Sequence, residues 1–477
     1  MFSKVRLEKI PEMITYNFTN TGSDPLYEYL YKCIKNDILK ANIRPGEKLP
    51  SKRSFAKNLG ISVITVENAY EQLIAEGYIY SIPKRGFYVT DFRTSMEIEK
   101  KKFTREMLPL TEGTSGYLAD FASNQTQSEL FPFTIWTKIV REVLNSNQMQ
   151  LMTNPPCGGI LPLREAIATY LKEFRGMTVL PEQIVIGAGT EYLYGLLIQL
   201  FGKDKTYAVE NPGYRKIPRI YKSWQVPCEY INMDSDGVKV SELEKKRADI
   251  LHISPSHHYP TGIVMPVSRR YELLGWAAKN ENRYIIEDDY DSELRLSGQP
   301  IPTLQSIDVS DKVIYMNTFT KTLSSTVRIS YMVLPGQLLE KFYKKLSFYS
   351  CTVSNFEQYT LAGFIREGYF EKHINRLRNY YHTKRDALLS AIKDSRLSQY
   401  VTVSGEEAGV HFLMKLHTTK PETLLIETAR AQGINLSPLS AHYHDPETAP
   451  ANVYVMNYSS VESNDAQEIV QKLLACV

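Results

Sequence analysis

Three separated segments carry residue types that make chemical sense together. In VIYMNTFTKTLSSTVRISYMV (313–333) an apolar run with the look of a buried strand leads into Thr318, Thr320, Lys321 and Arg328. A lysine just past a strand end can reach an aldehyde and bond it as an imine. The threonine hydroxyls and the Arg328 guanidinium suit a dianionic phosphate. In YIIEDDYDSE (284–293) a strand ends in carboxylates. A buried Asp288 can keep a pyridine nitrogen protonated, which makes the ring an electron sink, and Tyr290 can hydrogen-bond a ring hydroxyl. In IVIGAGTEYLYGLLIQLF (184–201) a strand turns through Gly187, Ala188, Gly189 and Thr190 into an apolar helix. The free N–H groups at such a helix start form an anion site.

Each segment alone has a plainer reading. A lysine after a strand is a solvated surface residue in about nine cases of ten. Glu287, Asp288, Asp289 and Asp291 also suit a loop or a divalent metal, and a Gly-Ala-Gly-Thr turn is often only a turn. Their occurrence in this order on one α/β domain favours the joint reading.

A second group of candidates lies near the N-terminus. Leu26, Leu30, Cys33/Ile34, Ile38 and Ala41 recur at helical spacing and predict a first helix, which Pro45-Gly46 ends. Ser51 caps a short helix carrying Phe55, Ala56 and Leu59, and Gly60 stops it. Ser62 caps the next helix, with Val66, Ala69, Tyr70, Leu73 and Ile74 as its apolar stripe. Two short helices around a tight glycine turn make a helix-turn-helix, whose second helix offers Ser62, Val63 and Thr65 to a major groove. YIYSIPKRGFYVT (78–90) reads as a hairpin with Lys84, Arg85 and Gly86 at its tip. Ser51, Lys52, Arg53, Lys84 and Arg85 are placed to meet phosphates or groove edges. The same spacing also fits a three-helix module that binds protein.

The elements that must position these groups fall into three regions. Residues 1–92 hold the helix-turn-helix and hairpin, and 93–115 are charged and polar without a periodic core, as a linker is. In 116–477 short apolar runs at 184–187, 206–210, 250–253, 284–287, 313–317 and 331–334 alternate with amphipathic helices. That texture predicts parallel strands covered by helices on both faces. A length of 477 residues implies two or three domains. Hydrophobic residues at 43% and charged residues at 23% suit a soluble globular protein, and no run of about 18 apolar residues predicts a membrane span. The N-terminal MFSKVRLEKIPEM lacks a secretory signal's apolar stretch, so a cytoplasmic protein is expected. Cys33, Cys157, Cys228, Cys351 and Cys476 are scattered and odd in number, which fits a reducing compartment and gives no metal spacing. With a net charge of only +3, any nucleic-acid contact must rest on locally concentrated cations.

RPGEKLPSKRSFAKNLGISVITVENAYEQLIAEGYI followed by KRGFYV resembles the GntR-type winged helix over residues 25–90. The chain departs from that pattern at Val63, where the family usually has an arginine expected to read guanine. From about residue 120 onward it is similar to fold-type I aminotransferases. The combination resembles the MocR/GabR subfamily of GntR regulators, on the segments NPGYRKIPRIY, SPSHHYPTGIVMPVSRRYELLGWA, EDDYDSE, TFTKTL and RISYMVLP.

The resemblance implies an α/β fold class: a winged helix-turn-helix domain plus an aminotransferase-like domain, built from a large mixed or parallel-sheet domain and a small C-terminal one. It implies pyridoxal 5'-phosphate as cofactor, bonded by Lys321, with Asp288 on the pyridinium and Tyr290 on the ring hydroxyl. Tyr214 would lie over the ring, and Gly189, Thr190, Thr318, Thr320 and Arg328 around the phosphate. His257, His258 and Tyr259 fall where aminotransferases have an asparagine near the ring. Arg215 matches an arginine that meets the effector carboxylate in GabR-like proteins. Aminotransferases also use an arginine of the small domain for that carboxylate. After Arg430 this chain has none, and its loop supplies His442, Tyr443 and His444 instead. Loss of that guanidinium fork predicts poor transamination of ordinary amino acids. The function implied is a homodimeric transcription regulator that binds double-stranded DNA near its own or a divergent gene. It would sense an amine-bearing metabolite, or the cofactor itself, at Lys321. The alternative is a working aminotransferase with a DNA-binding appendage.

Overall fold

The structure is a computed structural model that describes residues 14–18, 24–91, 116–123, 128–296, 301–407 and 409–477. The chain forms two compact units, Met1–Gly113 and Thr114–Val477. The expected linker, 93–115, lies outside the described residues.

In the first unit, helices Leu26–Leu39, Lys52–Leu59 and Val63–Ala75 are followed by a hairpin of Ile79–Ile82 and Gly86–Val89. Strand Lys48–Leu49 adds to Gly86–Val89, giving a three-stranded antiparallel sheet. The first helix buries Leu30, Tyr31, Ile34 and Ile38. It stops before Ala41, which has φ 63°, and Leu26 is exposed, so the stripe is shorter at both ends than its spacing suggested. Ser51 and Ser62 cap the next two helices, accepting from Ser54 N at 3.2 Å and Thr65 N at 3.1 Å. Gly60 takes φ 69°, the left-handed turn that lets the second helix reverse into the third. Val66, Ala69, Tyr70 and Leu73 are fully buried, whereas Ile74 is largely exposed. A residue next to Leu73 sits about 100° round the helix, beyond the packed face.

The second unit is built on an eight-stranded sheet. Its order is Ile184–Gly187, Ser330–Val333, Val313–Thr318, Tyr284–Asp288, Ile250–Ile253, Tyr207–Asn211, Cys228–Asp234, Gly237–Val238. The central pairings are parallel. Ser330–Val333 runs antiparallel to both neighbours, so the sheet is mixed. The connection 319–329 is too short to carry a crossover helix, which forces the reversal. Helices pack on both faces, in one cluster around Leu193, Leu197, Tyr221 and Phe342 and in others around Ile167, Leu361 and Trp276. A smaller antiparallel sheet (Val401–Ser404, His411–Leu416, Val453–Asn457, Ser437–Pro438) forms the C-terminal part with helices Tyr369–Asp394, Glu422–Ala431 and Ala466–Cys476. Among the described residues no helix is long and apolar enough to cross a membrane.

Candidate functional site

The C-terminal ends of the parallel strands converge on one cleft. Thr190, Tyr214, Tyr259, Asp288, Tyr290, Thr318, Thr320, Lys321 and Arg328 all line it. Ligands bind in this position in open α/β sheets, because the strands end there and the loops diverge.

Asp288 closes its own strand and is buried. Its Oδ2 accepts the Tyr194 hydroxyl at 2.6 Å and lies 3.4 Å from His252 Nε2. His252 is held in turn by the Tyr221 hydroxyl, 2.8 Å from Nδ1. Asp288 Oδ1 is buried with no hydrogen-bond partner. An orphaned carboxylate oxygen lining a cleft is costly unless a ligand donor completes it. A protonated ring nitrogen is such a donor, so the site fits pyridoxal phosphate. Lys321 follows strand Val313–Thr318 by three residues, and burial pushes its ammonium pKa down to about 8.

The far end of the cleft gathers groups of the kind that suit an anion. Helix Thr190–Phe201 starts there from Gly189, whose φ of 92° favours glycine. A Cβ on Gly189 would also lie 2.9 Å from the Arg328 guanidinium carbon, so a side chain there would displace the arginine. Thr318 Oγ1 donates to Thr320 Oγ1 at 2.8 Å and accepts from the Ser330 hydroxyl at 2.8 Å, a small hydroxyl chain beside Lys321. Glu191 stands in the same place, ion-paired to Lys216 and 3.4 Å from Arg328 Nη2. Lys216 holds its carboxyl below the usual range.

The acidic run 287–293 does not form a single cluster. Glu287 accepts Leu304 N and Gln305 N, and Asp289 accepts Arg175, Ser292 and Tyr315. Asp291 lies 2.8 Å from His257 Nδ1, so that nitrogen carries the proton. The Tyr290 hydroxyl, 3.3 Å from the same nitrogen, then finds no acceptor there and is free to serve a ligand. His258 lies behind the cleft, 2.6 Å from Thr261 Oγ1, and burial pushes its pKa down to about 3. Tyr259 packs edge-on against Tyr214, His411 and His442.

The expected effector residues sit elsewhere. Arg215, His442 and Tyr443 line a neighbouring pocket that shares only Tyr214 and Ile217 with the Lys321 cleft. The cation of this helix that reaches the cleft is Lys216. Sequence reasoning missed Tyr194, His252, Glu191, Lys216 and His411. His252 and His411 had a signal, each being a polar residue inside an apolar strand; Lys216 and Glu191 had none.

In the first unit, Val63 and Ile64 are exposed at the start of the third helix, beside the capping Ser62 and Thr65. Arg53, Lys84 and Arg85 are exposed, with Lys84 at φ 64° in the hairpin tip and Gly86 following it. Lys52 is engaged internally, 2.6 Å from Glu67 and over the Phe87 ring.

Residues 26–89 match the family model "Bacterial regulatory proteins, gntR family", and residues 118–454 match "Aminotransferase class I and II". The chain is 37% identical to the uncharacterized HTH-type transcriptional regulator YdeL of Bacillus subtilis, over 97% of this chain and 99% of that protein. It is 30% identical to the HTH-type pyridoxine biosynthesis transcriptional regulator PdxR of Corynebacterium glutamicum, over 86% and 87% of the two chains. Among solved structures it resembles Pyrococcus horikoshii kynurenine aminotransferase in complex with PMP, with a TM-score of 0.66 and 25% identity over 79% of this chain and 96% of that one.

Proposed function

Since this chain belongs to the GntR family of bacterial regulatory proteins, in the MocR/GabR-type branch that carries an aminotransferase class I and II domain, we infer its function from that premise and the cleft together. It is a DNA-binding transcription regulator that depends on pyridoxal 5'-phosphate. Its aminotransferase-like domain senses an amine-bearing metabolite or the cofactor itself, as a cytoplasmic homodimer with Arg215, His442 and Tyr443 as effector contacts.

The observation that carries this reading is Asp288 Oδ1, buried and unpartnered in the cleft that Lys321 lines. Bound there, the cofactor supplies an electrophilic carbonyl carbon conjugated to an electron-withdrawing ring. The chain's own groups do the rest. Asp288 holds a proton on the ring nitrogen, and Tyr194 and His252 fix the carboxylate that does so. Tyr290 offers its hydroxyl proton to the ring oxygen. Gly189, Thr190, Thr318, Thr320 and Arg328 hold the phosphate. Lys321 Nζ gives up its proton more readily than an exposed lysine, because burial disfavours its charge. Tyr259 walls the cleft beside the ring, and His258 stands behind it. A ligand switches the regulator only as far as it prefers one arrangement of the chain over another.

On the DNA side, Ser51, Arg53, Lys84, Arg85 and Gly86 meet the backbone, with Ser62, Val63 and Thr65 at the base edges. The names of the full-length relatives favour regulation over a working aminotransferase.

The test is reduction of cofactor-loaded protein with borohydride. The added mass should fall on the peptide holding Lys321. Lys321→Ala should lose the visible absorbance of bound cofactor and keep most of the affinity for its operator. Unchanged absorbance in that variant would overturn the assignment.

A further inference from the structure

A continuous run of rings forms one side of the Lys321 cleft. Tyr290 stacks on His257 with 6.2 Å between ring centroids, and His257 lies 4.8 Å from His411. His411 lies 5.1 Å from Tyr259, and Tyr259 lies 5.9 Å from Tyr214. These are the separations at which aromatic rings pack favourably. Tyr214, Tyr259 and Tyr290 reach the cleft itself, with Ile217 and Ile220 beside them, while the two histidines are buried behind. The rings come from four separate segments, so the tertiary fold assembles this wall and no local motif does.

An amine that reaches Lys321 must meet this wall. The lysine interacts electrostatically with the His411 ring and with Asp291, which lies 2.8 Å from His257, so it stands beside the middle of the run. Burial holds His411 well below the ordinary histidine range, and pushes His442, which packs on Tyr259 at 5.2 Å, down to about 4. Both rings are therefore neutral. His257 is balanced by Asp291. Among the described residues that line the cleft, the cations besides Lys321 are Lys216 and Arg328, and both pair with Glu191. The wall thus offers ring faces and edges without an uncommitted positive charge. A carboxylate pressed against it would lose its water and gain no counter-ion, which is costly.

We propose that the ligand sensed at Lys321 is an arylalkylamine: a primary amine on a short carbon chain that ends in an aromatic ring and bears no carboxylate. The inference rests on reading Lys321 as the lysine that bonds pyridoxal phosphate, and it adds the chemical class of the amine. An α-amino acid carries its carboxylate one carbon from the nitrogen, so that charge arrives at the wall wherever the nitrogen arrives at the lysine. An amine without it meets no such conflict. The planes of Tyr214 and Tyr259 stand at 86° and form a corner, which a third ring fills with its face to one and its edge to the other. The ligand nitrogen takes the place of Lys321 Nζ on the cofactor's carbonyl carbon. One C=N bond forms as the other breaks, two hydrogens pass to the lysine, and no oxidant is consumed.

The probes are phenethylamine, phenylalanine and n-hexylamine, titrated into the full chain loaded with cofactor while the visible absorbance of the bound cofactor is followed. Phenethylamine should half-saturate the change at a concentration about tenfold or more below that of phenylalanine, the effect of an unpaired charge. It should do so about threefold or more below hexylamine, the effect of a ring contact. In Tyr259→Leu the ratio of hexylamine to phenethylamine half-saturation should fall towards one. Both amines are read on the same variant, so a general loss of fold or of cofactor does not imitate that change. Phenylalanine acting at the same concentration as phenethylamine overturns the exclusion of a carboxylate. Hexylamine acting as well as phenethylamine, or a ratio unmoved in Tyr259→Leu, overturns the ring contact. A coloured protein that responds to none of the three overturns the proposal and leaves the cofactor reading standing. A chain that takes up no cofactor and stays colourless overturns that reading itself, and the proposal with it.

Discussion

At the residue scale, the anion end of the cofactor cleft sets two cations against Glu191. Arg328 and Lys216 both pair with Glu191 at the mouth of the anion end. A phosphate dianion arriving there must share these cations with a carboxylate already present. Glu191→Gln should therefore tighten pyridoxal phosphate binding by about threefold, the effect of a partly exposed charge contact of roughly 0.7 kcal/mol. Pyridoxal, which lacks the phosphate, should bind the variant and the parent equally. Fluorescence titration of both ligands measures this, and an equal gain for both would place the effect outside the phosphate contact.

At the element scale, the winged helix shows how one helix face separates packing from recognition. The third helix buries Val66, Ala69, Tyr70 and Leu73 and leaves Val63 and Ile64 outward, capped by Ser62. With two aliphatic residues at its leading edge, it is suited to methyl groups on base edges more than to guanine. Lys52 and Arg53 are neighbours in sequence but not in role. Lys52 ties the second helix to Glu67 of the third and covers Phe87, whereas Arg53 is exposed. Arg53→Ala should lower the slope of log affinity against log salt by about one, as the loss of one phosphate contact does. Lys52→Ala should leave that slope nearly unchanged and lower the thermal midpoint of the first unit. Operator titrations at three salt concentrations separate the two. Equal slopes for both variants would mean that Lys52 leaves Glu67 when DNA is bound.

At the scale of the whole molecule, buried histidines cost stability in acid. Burial pushes His258 down to about 3 and His373 to about 4, against an ordinary value near 6.5. Below 6.5 the unfolded chain takes a proton at each ring, while the folded chain does not until pH 3 to 4. Stability at these two sites is therefore full above 6.5 and is lost as pH falls from there towards 4, at about 1.4 kcal/mol per pH unit for each ring. The thermal midpoint of the parent relative to that of His373→Gln should drop progressively from pH 7 through 6 to 5, a difference that cancels the opposing titration of Glu287 and Glu293, whose carboxyls burial pushes up to about 7. A flat difference would show that the His373 ring is protonated in the folded state. The histidines also come from distant segments, His258 after a central strand and His373 on the long helix Tyr369–Asp394, so acid loosens several elements of the second unit together.

Much of this was legible in the residues alone. Caps, stop signals and apolar periods act over a few positions, so Ser51, Ser62 and Gly60 and the strands around 284–288 and 313–318 could be placed from the chain itself. The shared cleft of Lys321, Asp288 and Tyr290 could be placed too, because each lies at or just past the end of a recognisable strand. The antiparallel course of Ser330–Val333 was not legible, since strand direction depends on the sheet that receives it. Nor were the partners of Asp288, which Tyr194 and His252 bring from two other segments. The division of labour between Arg215 and Lys216 was hidden for a simpler reason. Adjacent residues on a helix point about 100° apart, so only the packing of that helix decides which cation faces the Lys321 cleft and which faces the pocket beside it.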